Sequence, residues 1–221
     1  MSAPALSRTT KISLIASVAL LAVAALVFFL LANTRAAERT DASEGAQAIR
    51  ESSHRLDVGP AGSPELVEFL DFECESCAAA YPFVEELRAE FEGELTFAIR
   101  YFPIPSHQNS TNAALAVEAA AQQGQLEAMY RMMYDTQPQW GEQTVSQAPL
   151  FRSFAEILEL DLEKFDATVA AESTAARVKL DFDEGLALGV QGTPTFFLDG
   201  ELVNVATTDE FRALVDEAVS R

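Results

Sequence analysis

The 221-residue chain contains two cysteines, three positions apart in Cys74-Glu75-Ser76-Cys77. On a first helical turn, that spacing puts both sulfurs on one side and within disulfide reach. The preceding run, Leu66–Phe72 (LVEFLDF), is nearly all apolar, as in a strand buried on both faces. The pair therefore closes a strand and opens a helix. Unpaired N–H groups and the dipole at a helix N-terminus favour an anion. Cys74 is thus the expected attacking thiolate, and Cys77, one turn further in, the resolving thiol. Half of a zinc site is a rival use, but it needs about two more ligands. Only His54 and His107 could supply histidine ligands, and neither is near in sequence. A purely structural disulfide is the other rival. No metal is expected.

Elements must hold this pair, and the pattern supplies them. Leu95–Tyr101 alternates, with Leu95, Phe97, Ile99 and Tyr101 on one face. A helix from Cys74 to about Glu90 joins the two strands, with Phe83, Val84 and Leu87 on its apolar face. Strand, helix, strand is the unit of a parallel pair with a right-handed crossover. A helical block follows: Ala113–Gln123 stopping at Gly124, Leu126–Asp135, Leu150–Leu158, a stretch through Leu162, Phe165 and Val169, and about Ala175–Leu188 ending at Gly189. Met129, Met132 and Met133 read as core filler. Strands Thr195–Leu198 and Glu201–Val205 flank Asp199-Gly200, a hairpin signal. The last helix carries Phe211, Leu214, Val215, Ala218 and Val219, and Thr207 with Glu210 makes a capping box at its start.

The formal net charge is −19. A chain this acidic has no basic stripe to neutralise phosphates, which argues against a nucleic-acid partner and against adsorption on anionic lipid. The acid reads as a solvated surface. Having no third cysteine suits an exported protein, where a spare thiol invites mispairing.

Residues 12–32 (ISLIASVALLAVAALVFFLLA) form a charge-free apolar run. About 20 residues cross a bilayer core as helix, and the run exceeds the ~7–15 residues of a cleaved signal's apolar region. The expectation is a retained signal-anchor: 1–11 cytoplasmic, 12–32 transmembrane, 33–55 a polar tether, and 56–221 the folded domain. Basic residues tie across the run, with Arg8 and Lys11 before it and Arg35 and Arg39 after, so charge does not set the orientation.

VEFLDFECESC, followed much later by GVQGTPTFFLDG, resembles the DsbA-like oxidoreductases, most of all their membrane-anchored bacterial branch. The resemblance runs from about residue 56 to the C-terminus. It implies an α/β fold: a thioredoxin fold with an inserted helical domain at about 109–188, preceded here by the N-terminal transmembrane helix. It implies a redox-active disulfide and no other cofactor. Pro194 is similar to the family's cis-proline, and Thr193 before it would offer its backbone to an incoming peptide. Glu68, six residues before Cys74, matches a buried acid that exchanges a proton with Cys77. Pro82 matches the proline that kinks the active-site helix. His107 falls where relatives can carry a histidine, and either a site role or a packing role fits it.

The implied activity is extracytoplasmic thiol-disulfide exchange, with Cys74-Cys77 oxidising cysteines of newly exported polypeptides. A membrane quinone-linked protein would reoxidise it. A reductase or isomerase, or a non-catalytic peptide-binding module, remain open alternatives. Between and beside the cysteines the chain departs from the family, with Glu73, Glu75 and Ser76. Acids beside a thiolate raise its pKa, so a less oxidising pair than in the strongest relatives is expected.

Overall fold

A computed structural model describes residues 46–221. The expected membrane anchor, 12–32, and the first part of the expected tether, 33–45, lie outside the described residues. Among the described residues no helix is long and apolar enough to cross a membrane.

The elements run β1 (His54–Asp57), β2 (Glu65–Leu70), α1 (Glu75–Glu90), β3 (Thr96–Tyr101), α2 (Ser110–Ala121), α3 (Leu126–Trp140), α4 (Ala148–Ile157), α5 (Leu162–Val169), α6 (Glu172–Ala187), β4 (Thr195–Leu198), β5 (Glu201–Leu202) and α7 (Thr208–Val219). The sheet order is β1-β3-β2-β4-β5. β2 and β3 are parallel, with Glu68 opposite Ile99, and the other pairings are antiparallel. Helices α2 to α6 are inserted between β3 and β4.

Alternation along β2 decides what each face does. Leu66 and Leu70 join a large core with Val84 and Leu87 of α1 and with Met129, Tyr130 and Met133 of α3. Val67 and Phe69 point the other way, into a smaller core with Ala98, Phe102 and Phe197, against which Phe182 of α6 packs. Glu68 shares the side of Leu66 and Leu70 by the same period of two. An acid therefore enters an apolar core beneath α1. Gly185 lets α6 reach the sheet, because a Cβ there would lie 2.7 Å from Cδ2 of Phe102 and 3.0 Å from Cδ1 of Phe69.

Local chemistry sets the ends of the elements. Asp199 and Gly200 form the two-residue hairpin with φ of 51° and 83°, the positive values a type I′ turn requires. Thr207 Oγ1 accepts the Glu210 N–H at 3.2 Å, and the Glu210 carboxylate accepts the Ala206 N–H at 2.8 Å. That is the expected capping box, displaced by one residue.

Three expectations need correction. The expected tether reached residue 55, but the folded body begins at Ala46. Residues 54–57 form an edge strand with no apolar alternation to announce it, and Arg100 holds the carbonyls of Gln47 at 2.9 Å and Ala48 at 3.1 Å. The helix expected to end at Asp135 runs on to Trp140 through Pro138. Trp140 is fully buried, edge-on to Phe151 with centroids 4.8 Å apart, and this packing outweighs the one backbone donor that Pro138 lacks. β5 stops at Leu202 rather than Val205.

Candidate active site

Cys74 is the N-cap of α1, and its N–H donates to the Asp71 carbonyl at 3.1 Å. It keeps 8% of its surface exposed, whereas Cys77 keeps none. An attacking sulfur at the surface and a resolving sulfur beneath it is the arrangement that disulfide exchange requires. Both are free thiols. The Cys74 thiol is lowered to about 5, first by a hydrogen bond from Cys77 and then, against the opposing effect of burial, by the Thr193 side chain and the N–H groups of Cys77 and Ser76. Burial pushes the Cys77 thiol far up, reinforced by its bond to Cys74 and by Glu68. The two sulfurs thus differ sharply: Cys74 is a thiolate at neutral pH and Cys77 keeps its proton.

Thr193 and Pro194 face this pair. The Thr193-Pro194 bond is cis. In its protonated form the Cys74 thiol donates to the Thr193 carbonyl at 3.4 Å. Thr193 Oγ1 is buried with no other partner among the described residues. It is therefore free to donate to the thiolate form. Glu68 is 2% exposed and raised to about 8, mainly by burial and then by the charges of Glu85 and Cys74. The sequence expectations for Cys74, Cys77, Glu68, Thr193 and Pro194 thus converge on one place.

The acids beside the pair behave otherwise. Glu73 is buried, and its carboxylate turns away to accept the Asn109 N–H at 2.5 Å, just ahead of α2. Glu75 is exposed, and its carboxyl is held below the usual range by its own backbone N–H and by Glu142. Neither acid is among the largest influences on the Cys74 thiol. One acid is spent on a helix terminus and the other is solvated. Ser76 contributes its N–H rather than its side chain.

Asp71 is the residue that sequence reasoning missed. Its Oδ1 accepts the Glu73 N–H at 2.9 Å, and its Oδ2 accepts the Ile104 N–H at 3.0 Å and the Ser110 hydroxyl. His107 Nδ1 lies 2.7 Å from the same oxygen. Burial opposes protonation of His107, yet its bond to Asp71 and the negative charges of Asp71, Cys74 and Glu73 raise its pKa. Asp71 thereby ties the cysteine turn to the loop after β3 and carries His107 to the site. The signal was an acid at the end of an apolar strand, which normally reads as a turn residue.

A thioredoxin family model matches residues 57–217. The chain belongs to the thioredoxin family. Its fold is that of DsbA-like thiol-disulfide oxidoreductases. BdbD of Bacillus subtilis, in its oxidised form, superimposes with a TM-score of 0.69 at 20% identity, over 80% of this chain and 97% of that one. A thioredoxin-like oxidoreductase of Silicibacter pomeroyi DSS-3 gives 0.65 at 25% identity, over 78% and 95%. Among curated proteins, this thioredoxin-family chain is 34% identical over 206 residues to Na(+)/H(+) antiporter NhaA 3 of Salinispora tropica, covering 89% of this chain and 30% of the antiporter. A Na(+)/H(+) antiporter NhaA of Herminiimonas arsenicoxydans is 36% identical over 135 residues, 61% of this chain and 20% of that one. The chain spans well under half the length of these curated relatives.

Proposed function

We propose that this oxidoreductase is a disulfide donor to reduced exported polypeptides, anchored in the cell membrane by residues 12–32 with its domain outside the cytoplasm. The observation that carries the reading is the low pKa of Cys74 beside the Thr193-Pro194 turn. A stabilised thiolate favours the reduced form of the protein, so its disulfide gives up its oxidising equivalents readily. A substrate thiolate attacks Cys74 Sγ and breaks the Cys74–Cys77 bond. Cys77 leaves as a thiolate and takes a proton from Glu68. A second substrate thiolate then attacks the substrate sulfur of the mixed disulfide, which forms the substrate disulfide and releases the Cys74 thiolate. A membrane quinone-linked protein would remove the two electrons and restore Cys74–Cys77. The charge-free run supports the membrane setting, as do curated relatives named as Na(+)/H(+) antiporters.

The test is the reduction potential of the Cys74/Cys77 couple against glutathione, combined with its redox state in cells. A donor is expected to be mostly oxidised in cells and more oxidising than glutathione. A mostly reduced pair would instead favour the reductase or isomerase reading. Full function of a Cys74→Ser chain in cells would favour the peptide-binding module.

A further inference from the structure

The side chain of Asp71 is wholly buried, and among the described residues His107 is the one side chain able to carry a positive charge that pairs with it. A buried carboxylate persists where it is hydrogen-bonded and answered by a charge. Its Oδ2 receives the Ile104 N–H at 3.0 Å and the Ser110 hydroxyl, and His107 Nδ1 stands 2.7 Å from the same oxygen. An oxygen that already accepts two donors is an acceptor for the third, so His107 Nδ1 carries the hydrogen. That fixes the tautomer: the neutral ring is Nδ1–H, and Nε2 holds the free lone pair. The His107 side chain keeps 27% of its surface exposed, so water reaches the ring, and protonation at Nε2 leaves the Asp71 bond in place. Asp71 also holds the cysteine turn from within. Its carbonyl accepts the Cys74 N–H at 3.1 Å, and its Oδ1 accepts the Glu73 N–H at 2.9 Å. One residue thus joins the imidazole to the backbone of Cys74.

From this geometry we infer that His107 is a proton-linked positioning residue for Cys74: held by Asp71 through Nδ1, it takes up a proton at Nε2 when the disulfide is reduced, and so sets a positive charge beside the new thiolate. It rests on the disulfide-exchange reading above. Two substrate thiols lose two electrons and two protons as their disulfide forms. The electrons break the Cys74–Cys77 bond and leave a thiolate at Cys74 and a thiol at Cys77. Cys77 keeps one proton, by way of Glu68. The second proton goes to the neutral fraction of His107 and otherwise to water. Reoxidation reverses the transfer. Burial opposes a charge on His107, but the Asp71 bond and the charges of Asp71, Cys74 and Glu73 raise its pKa. Cys74 is among those charges only as a thiolate, so the ring binds its proton more tightly in the reduced protein. By linkage, the proton stabilises the thiolate by the same factor. The charged groups around the ring come from every neighbouring element. Asp71, Glu73 and Cys74 belong to the turn after β2, and Glu75 of α1 and Glu142 of the α3–α4 loop both feel the His107 charge. Lys179 of α6, paired with Asp183, lines a cleft with Pro105 of the His107 loop. His107 acts on Cys74 through Asp71 and through its charge, and it is not itself a nucleophile.

The test is an NMR titration of the His107 ring in the full chain in detergent, once with the disulfide formed and once reduced. The ring is expected to bind its proton about two- to five-fold more tightly in the reduced form, the size of an exposed charge pair. Equal titration in the two forms overturns the linkage. The second measurement uses His107→Gln, which keeps an N–H donor for Asp71 and cannot take a charge. Its Cys74 thiol, followed by pH-dependent alkylation, is expected to ionise less readily by the same factor. Its equilibrium with glutathione is expected to shift by that factor toward a less oxidising couple. The difference from wild type should be full below both His107 pKa values, shrink as pH rises through them, and vanish above. A purely structural role would lower the melting temperature and leave any difference in the glutathione equilibrium independent of pH, which overturns the proposal. A folded His107→Gln chain with wild-type Cys74 ionisation and equilibrium overturns it as well. If that variant does not fold, the wild-type titration decides alone. A wild-type chain that never cycles its disulfide overturns the disulfide-exchange reading, and the linkage with it.

Discussion

The thiolate at Cys74 depends on few donors, and one of them is a hydroxyl with no other occupation. Thr193→Val removes that hydroxyl at nearly constant volume. The expected outcome is a Cys74 pKa above the wild-type value of about 5, read from the pH dependence of alkylation, and a less oxidising couple. Glu68 makes the opposite kind of statement. Its pKa is raised from 4.5 to about 8, so between those values the folded state holds a proton that the unfolded state has released. Stability therefore falls as pH rises through that window. Glu68→Gln removes the titration. Its stability advantage over the wild type should grow from about pH 4.5 to pH 8 and then level off, as read from denaturant unfolding at several pH values. A buried acid that costs stability at neutral pH is consistent with a role in chemistry, since an apolar residue would hold the same space more cheaply.

Among the elements, the loop between α3 and α4 and helix α6 rest on single residues. Asn109 Nδ2 donates to the carbonyls of Gln143 at 3.0 Å and Val145 at 3.2 Å, and its Oδ1 accepts the Gln147 N–H at 2.7 Å. Glu73 beside Cys74 in turn holds the Asn109 N–H. The loop that overhangs the site is thus fastened to the cysteine turn by one amide. Asn109→Ala should destabilise the fold by about 1–3 kcal/mol, the cost of leaving buried groups unpaired, and raise amide exchange in residues 141–147. Gly185→Ala tests the seating of α6. The added carbon meets the Phe102 and Phe69 rings, and overpacking of this kind costs about 1–3 kcal/mol, measurable as a lowered melting temperature.

Across the whole molecule, Arg100 binds three parts of the chain together. It is fully buried on β3, bonds Asp181 and Glu184 of α6 at 2.5 Å each, and holds the carbonyls of Gln47 and Ala48. Arg50 pairs with Glu184, and Arg177 pairs with Asp181 at 2.6 Å. Removing one member of a buried ion network leaves charges uncompensated, at a cost of about 3–5 kcal/mol. Arg100→Met is expected to lose that much stability and to free residues 46–53, seen as faster hydrogen exchange confined to that segment. The segment leading into the domain is therefore part of it, and a truncation at residue 56 would remove an edge strand and this clasp together.

Much of the fold and the site was legible from local pattern. LVEFLDF before a C-x-x-C, the Asp199-Gly200 hairpin and the Thr207 cap each carry their structure in a few adjacent residues, because strand burial, turn geometry and capping are local requirements. The pairing of Cys74 with Cys77 and their order of reactivity follow from three-residue spacing at a helix start. Other features required the chain to be folded. β1 is short, polar and at the sheet edge, so its own residues give no period, and Arg100 looks like any charge until its distant partners surround it. Glu73 and Glu75 look alike in sequence as acids beside a thiol; only the position of α2 separates them, turning one into a buried partner of the Asn109 N–H and leaving the other in solvent. Asp71 and His107 belong to the site for the same reason. Cys74 and Cys77 were set by spacing within one turn of helix, whereas Thr193, 119 positions from Cys74, is brought to the thiol only by packing.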